Sequence, residues 1–152
     1  MPIYFLAIGI ILLDQISKFL IENSMELGDS LPVIEGIFHI TYILNPGAAF
    51  GILENQRLFF ILIATIMILM TGYIYPLIPQ KSKMLRLGVG MLFGGAVGNL
   101  IDRIRTGLVV DFFDFKIWPI FNIADIFIVV GVGMIIITMF YADCKMKGEK
   151  NE

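Results

Sequence analysis

Long apolar runs alternate with short polar breaks along this chain, and the runs have the length of membrane crossings. Ile3 to Ile21, Leu58 to Leu77, Leu85 to Ile101 and Asn122 to Tyr141 are four such segments. Each is close to the roughly 20 residues that a helix needs to cross a bilayer core. The second ends at Pro76 and Pro79, and the third is short and glycine-rich. The first lacks the basic start and small-residue cleavage site of a secretory signal. Between the first two runs the pattern changes. "LPVIEGIFHITYIL" is rich in β-branched and aromatic residues and lies between Pro32 and Asn45-Pro46-Gly47. It predicts one or two surface strands, with His39 in one of them. The pattern therefore predicts an all-α membrane protein: four transmembrane helices and a small sheet outside the membrane. It forms one domain, residues 1–152, with outer loops at 22–57 and 102–121.

Composition agrees. Of 152 residues, 58% are hydrophobic and 16% charged, and the mean hydropathy is +0.88. A soluble domain of this size could not bury so much apolar surface. The net charge of -2 comes with no basic aromatic patch, so no nucleic-acid partner is expected. The lone cysteine, Cys144, excludes an internal disulfide and reads as an unpaired thiol beside a basic tail. The lone histidine, His39, argues against a histidine-based zinc site.

Charge also sets the orientation. The loop between spans two and three carries Lys81, Lys83 and Arg86, and the tail carries Lys145, Lys147 and Lys150. Basic loops stay in the cytoplasm, so both termini are expected there and the other two loops outside. Glu22, Glu26, Asp29, Glu35 and Glu54 make the first outer loop acidic, although Arg103, Arg105 and Lys116 reduce the contrast.

Ionisable groups at membrane depth are costly and need a reason. Asp14 and Lys18, four apart on the first helix, can form a structural ion pair facing the bundle interior. Asn99 and Arg103 repeat that spacing at the outer end of span three, where Arg103 can snorkel to the interface or hold a carboxylate. Gly90, Gly94 and Gly98 share a face and let a neighbouring backbone approach. Asn122 and Asp125 open span four. They suit an N-cap and an acid that complements the helix dipole. They also suit chemistry, because Asp102, Asp111 and Asp114 lie in the connection before them, and any one of these can meet Asp125. Two carboxylates in a poorly hydrated site share a proton, and one pKa rises. That is the arrangement of an aspartic protease.

Four blocks in order carry a resemblance: "LLDQISK", "LNPGAAFGIL", "GGAVGNLIDRIRTGLVVDFFDF" and "FNIADIFI". The chain resembles lipoprotein signal peptidase, signal peptidase II, a family of bacterial membrane aspartic proteases. The resemblance implies that Asp111 and Asp125 are the catalytic pair, with Asp102 and Asp114 as non-catalytic neighbours. Supporting or substrate-orienting positions match Asp14, Lys18, Asn45, Asn99, Arg103 and Asn122. It also implies a β-cradle and a peripheral helix, to which Glu54–Phe60 can contribute. The expected substrate is a diacylglyceryl-modified prolipoprotein, cut before the lipid-modified cysteine. The expected setting is the outer face of the bacterial cytoplasmic membrane, as a monomer in contact with membrane lipid, with no metal and no cofactor. Phe112, Phe113, Phe115, Ile117, Trp118 and Phe121 suit a site at the lipid surface. A small transporter with a carboxylate proton relay, or an assembly subunit packed through its glycines, would share the hydrophobicity but not the four blocks.

Overall fold

The computed structural model describes residues 3–47 and 56–149, with side chains for 4–47 and 56–141. Its elements are α1 (Ile3–Ser24), β1 (Ser30–Ile34), β2 (Phe38–Asn45), α2 (Arg57–Ile74), α3 (Lys83–Arg105), β3 (Val109–Asp114) and α4 (Ile123–Glu149). A 3-10 turn at Tyr75–Leu77 closes α2, where Pro76 removes a backbone donor. All four helices are long and apolar enough to cross a membrane. They match the four expected spans, and each of α1, α3 and α4 runs past its expected end. The chain is a multi-pass membrane protein.

The helices differ in what they face. Half of the apolar window of α3 (50%) is buried inside the protein, against 22% for α1 and 11% for α2 and α4. So α3 is the central post, and the others present mostly apolar side chains outward, as a lipid solvent allows. Small residues make the close packing possible. On one side of α3, a Cβ added to Gly94 would stand 3.0 Å from the Cβ of Ile10 on α1. On another side, Gly88 faces Gly131 of α4, and a Cβ on Gly95 would stand 2.5 Å from the Ala124 carbonyl oxygen. The expected stripe of Gly90, Gly94 and Gly98 is thus only part of the packing. Gly88, Gly95 and Gly131 form a second seam, where backbones touch without side chains between them.

The three strands form one antiparallel sheet in the order β1-β2-β3. Residues of β1 are all exposed, whereas β3 is buried at five of its six positions. The sheet therefore runs from water to the top of the bundle. β3 lies inside what the sequence reads as the outer loop 102–121. Each face carries two apolar residues and one aspartate, so no alternation marks it as a strand. The same expected loop begins too early: Asp102 is inside α3 and buried. The expected peripheral helix begins at Glu54, and 48–55 lie outside the described residues; from Arg57 onward the chain is already α2.

Candidate active site

β3 and the start of α4 are held together by a short backbone bridge. The Phe112 and Phe113 amides donate to the Phe121 carbonyl at 3.1 and 2.8 Å, and the Phe121 amide donates back to Phe113 at 3.2 Å. The Phe115 and Phe121 rings stack, with centroids 5.9 Å apart, and Phe38 packs on Phe115 at 4.8 Å. Phe112 is part of the core, while the tip between the bridged ends exposes Ile117 (94%) and Trp118 (62%). The aromatic run thus divides between core packing and an exposed apolar tip. Strand alternation places Asp111 and Asp114, three apart, on opposite faces. Asp114 turns to Thr41 (2.7 Å) and Lys116 (2.7 Å). Despite partial burial, hydrogen bonds from Lys116 and Thr41 hold its carboxyl below the usual range. Asp111 turns to the start of α4.

There Asn122 and Asp125 cap the helix reciprocally. The Asp125 amide donates to Asn122 Oδ1 at 3.0 Å, and the Asn122 amide donates to Asp125 Oδ2 at 3.2 Å. This is the geometry of a capping box. The same Asn122 also reaches the other carboxylate, its Nδ2 donating to Asp111 Oδ1 at 2.7 Å. One fully buried asparagine therefore donates to both carboxylates, through its side chain to Asp111 and through its backbone amide to Asp125. Asn45, on β2, donates to Asp111 Oδ2 at 2.9 Å, and its oxygen accepts the Gly47 amide at 2.9 Å. Asn99, on α3, donates to Asp125 Oδ1 at 2.7 Å.

Lys18 lies behind Asn99. Its ammonium donates to Asn99 Oδ1 at 3.0 Å and pairs with Asp14 at 2.9 Å and Asp102 at 2.8 Å. A lysine can only donate and a carboxylate can only accept, so these neighbours fix which way the Asn99 amide points. Asp14 also accepts the Ala124 amide at 2.9 Å, which ties α1 to the start of α4. Gln15 donates to Asp102 at 2.9 Å. The expected Asp14–Lys18 pair is present, but it is the near half of a three-member cluster. Asp102, read as a loop neighbour of the pair, is its third member. Nothing local in the sequence marks Gln15 or Asp102 for that role, since both depend on contacts more than 80 positions away along the chain.

Arg103 makes no ion pair among the described residues. Its guanidinium lies 4.8 Å from the Phe60 ring centroid and donates to the Gly47 carbonyl at 3.2 Å. It thereby links α3, α2 and the end of β2. Arg57 makes a cap the sequence reading missed: it donates to the Arg103 and Ile104 carbonyls at 3.0 and 2.7 Å, placing a cation at the C-terminus of α3.

Asp111 and Asp125 both line a groove of about 390 Å³, together with Asn45, Asn99 and Arg103. Its other walls are apolar and include Phe60, Trp118 and Ile128. Burial, and then the negative charge of Asp125, push the Asp111 carboxyl up to about 7, against weaker opposing effects from Asn45, Asn122 and Lys18. Near neutral pH this carboxyl can therefore carry a proton beside an acceptor. Among the described residues, no three His, Cys, Asp or Glu side chains are grouped to hold a metal ion.

The likeness to known proteins covers most of the chain. The family model described as signal peptidase (SPase) II matches residues 6–141. The lipoprotein signal peptidase of Halothermothrix orenii is 45% identical over 138 residues, covering 91% of this chain and 94% of that protein. The lipoprotein signal peptidase of Brevibacillus brevis is 46% identical over 152 residues, covering 97% of each. A solved bacterial membrane enzyme, determined by the in meso method at 2.3 Å, superposes with a TM-score of 0.87 at 38% identity, covering 91% of this chain and 87% of that one. With the match spanning all four helices and the sheet, the chain belongs to the signal peptidase II family of bacterial membrane proteases.

Proposed function

We propose that this protein removes signal peptides from diacylglyceryl-modified prolipoproteins, cutting before the lipid-modified cysteine, with Asp111 and Asp125 as the catalytic pair. The observation that carries this is Asn122, which donates to both carboxylates. Its side-chain Nδ2 donates to the Asp111 carboxylate and its backbone amide donates to the Asp125 carboxylate, and among the described residues no cation lies within ion-pair distance of either.

The chemistry follows from one proton shared by the pair. The ionised carboxylate accepts a proton from water as the water oxygen adds to the scissile carbonyl carbon. The protonated one donates to the carbonyl oxygen, giving a gem-diol and no acyl-enzyme. Collapse of the diol breaks the C–N bond, and the departing amine takes a proton from the pair. Asn45, Asn99 and Asn122 hold the carboxylates through neutral donors, so they orient the pair without fixing its charge. Arg103 positions the segment around Gly47 at the groove. The apolar walls and the exposed Ile117–Trp118 tip suit a substrate whose cysteine carries lipid chains in the membrane.

The basic residues at the other end of the bundle support cytoplasmic termini and an outward-facing site. Reporters fused after Lys150 and in the Lys81–Lys83 loop should both read as cytoplasmic. The protein acts as a single domain and needs no second copy, because all the proposed groups come from one chain.

The direct test is purified protein in detergent with lipidated and unlipidated prolipoprotein. The lipidated form should be cut and its counterpart poorly or not at all. Equal rates on both would point to a general intramembrane protease. No cleavage of either, by folded protein, would remove the proposal. Detergent supplies no proton gradient, so turnover there also separates a peptidase from a transporter.

A further inference from the structure

At the end of the bundle far from the dyad lies a second cavity of about 420 Å³. It opens between the start of α1, the end of α2 and the start of α3, and its lining includes Tyr4, Gly72, Tyr75, Arg86 and Phe93. Its size falls within the roughly 300–1,000 Å³ typical of small-molecule sites. It holds one charged group, Arg86. The guanidinium lies 4.1 Å from the Tyr75 ring centroid and donates to the Ile78 carbonyl at 2.8 Å. These contacts hold the cation in place but do not neutralise it. Among the described residues no carboxylate lies within ion-pair distance of it. The sequence explains why: no Asp or Glu occurs between Glu54 and Asp102, while Lys81 and Lys83 stand just before Arg86. A half-buried arginine among apolar walls with no anion of its own has a strong electrostatic reason to take one.

We propose that this cavity binds an anionic glycerophospholipid, its headgroup phosphate on Arg86 and one acyl chain along the groove beside Gly72. Gly72 supports the second half of this assignment. A Cβ added there meets nothing within 4 Å, so the cavity is open at this position of α2. A free phosphate would use the arginine but leave the apolar walls wet, whereas a phospholipid matches both. Basic pockets between helices at the cytoplasmic side of membrane proteins suit anionic headgroups for the same reason. The site shares no residue with the proposed catalytic groove.

Native mass spectrometry of the full chain, titrated with phosphatidylglycerol and separately with phosphatidylcholine, tests the proposal. Phosphatidylglycerol should bind one-to-one and about five- to tenfold more tightly. Arg86→Gln should remove that preference, and Arg86→Lys should keep part of it, since an ammonium lacks the planar fork. Gly72→Phe, which fills the groove, should weaken binding of both lipids, and it decides the matter if Arg86→Gln does not fold. Turnover of lipidated prolipoprotein should be unchanged in folded Arg86 and Gly72 variants. Equal binding of the two lipids by the wild-type chain would overturn the proposal. So would undiminished preference in Arg86→Gln, undiminished binding in Gly72→Phe, or displacement of phosphatidylglycerol by inorganic phosphate, which would mark a plain anion site.

Discussion

Two pairs of aspartates stand on neighbouring sides of α3, and they are built on opposite plans. Asp14 and Asp102 have a lysine between them, with Lys18 at 2.9 and 2.8 Å. Asp111 and Asp125 have amides between and around them, from Asn122, Asn45 and Asn99. All four carboxylates sit at the same end of the bundle, three of them buried. The first arrangement settles its charge at the moment of folding and links α1 to α3. In the proposed mechanism the second leaves a negative charge and a proton without a fixed owner, which acid–base chemistry needs. On that proposal, what surrounds a carboxylate, more than its depth, separates a fastener from a reagent.

The sharpest way to break this comparison is to remove the proton-sharing groups. Asp111→Asn and Asp125→Asn keep size and hydrogen bonding but cannot ionise. Each should reduce turnover of lipidated prolipoprotein by at least roughly 10²–10⁴-fold, the usual cost of losing general acid–base catalysis. The folded state should survive, as read by thermal unfolding in detergent. If Asp125→Asn keeps its activity and only lowers stability, Asp125 is a helix cap and no more.

The other pair should fail in the opposite way. Lys18→Met leaves two buried carboxylates without their cation, and breaking a buried ion pair costs about 3–5 kcal/mol. Its thermal midpoint should fall markedly. Asp14→Asn and Asp102→Asn should also lose stability, by smaller steps, since each leaves Lys18 one partner. Turnover per folded molecule should drop far less in these two variants than in Asp111→Asn.

Acidity distinguishes the pairs more gently. Folding raises the Asp111 carboxyl from 3.8 to about 7. The sign follows from linkage: a raised carboxyl favours the folded state fully below the unfolded value and loses that contribution as pH rises through about 7. Wild-type stability should therefore decline between about pH 4 and about pH 7 and level off above, whereas activity should fall as pH rises through about 7, where the shared proton is lost. Asp111→Asn should flatten that stability decline. An unchanged slope in that variant would separate Asp111 from the loss.

The smallest effect is expected at Asp114. Its partner Lys116 is part-exposed, and such pairs contribute about 0–1 kcal/mol. Asp114→Asn should retain substantial activity and nearly all its stability. An inactive but folded Asp114→Asn beside an active Asp111→Asn would reassign the pair.

The four helices were legible because lipid demands long apolar runs, and that demand is written locally. The capping box was legible too, since Asn122 and Asp125 lie three apart. β3 was not, because Val109–Asp114 is buried on nearly every side and shows no alternation. Nor was the grouping of Asp102 with Lys18, or the seam of Gly88 against Gly131. These arise between segments distant in sequence, and no spacing along one helix records them. Before any resemblance was considered, the residues left Asp102, Asp111 and Asp114 equal as partners for Asp125. The fold separates them by direction: Asp102 points to Lys18, Asp114 to Thr41 and Lys116, and Asp111 to the groove.

Asn122 has a consequence for how the protein comes into being. It and Asp125 belong to the fourth helix, whereas Asn45, Asn99 and Asp111 are made earlier along the chain. During synthesis, the first three spans can enter the membrane while the proposed reaction centre still lacks one carboxylate and the asparagine that donates to both. The turn that starts α4 is also the turn that joins the pair. A half-made copy, or one whose last helix has slipped out, would thus be unarmed among the other nascent chains around it, and competence to cut would arrive only with completed insertion.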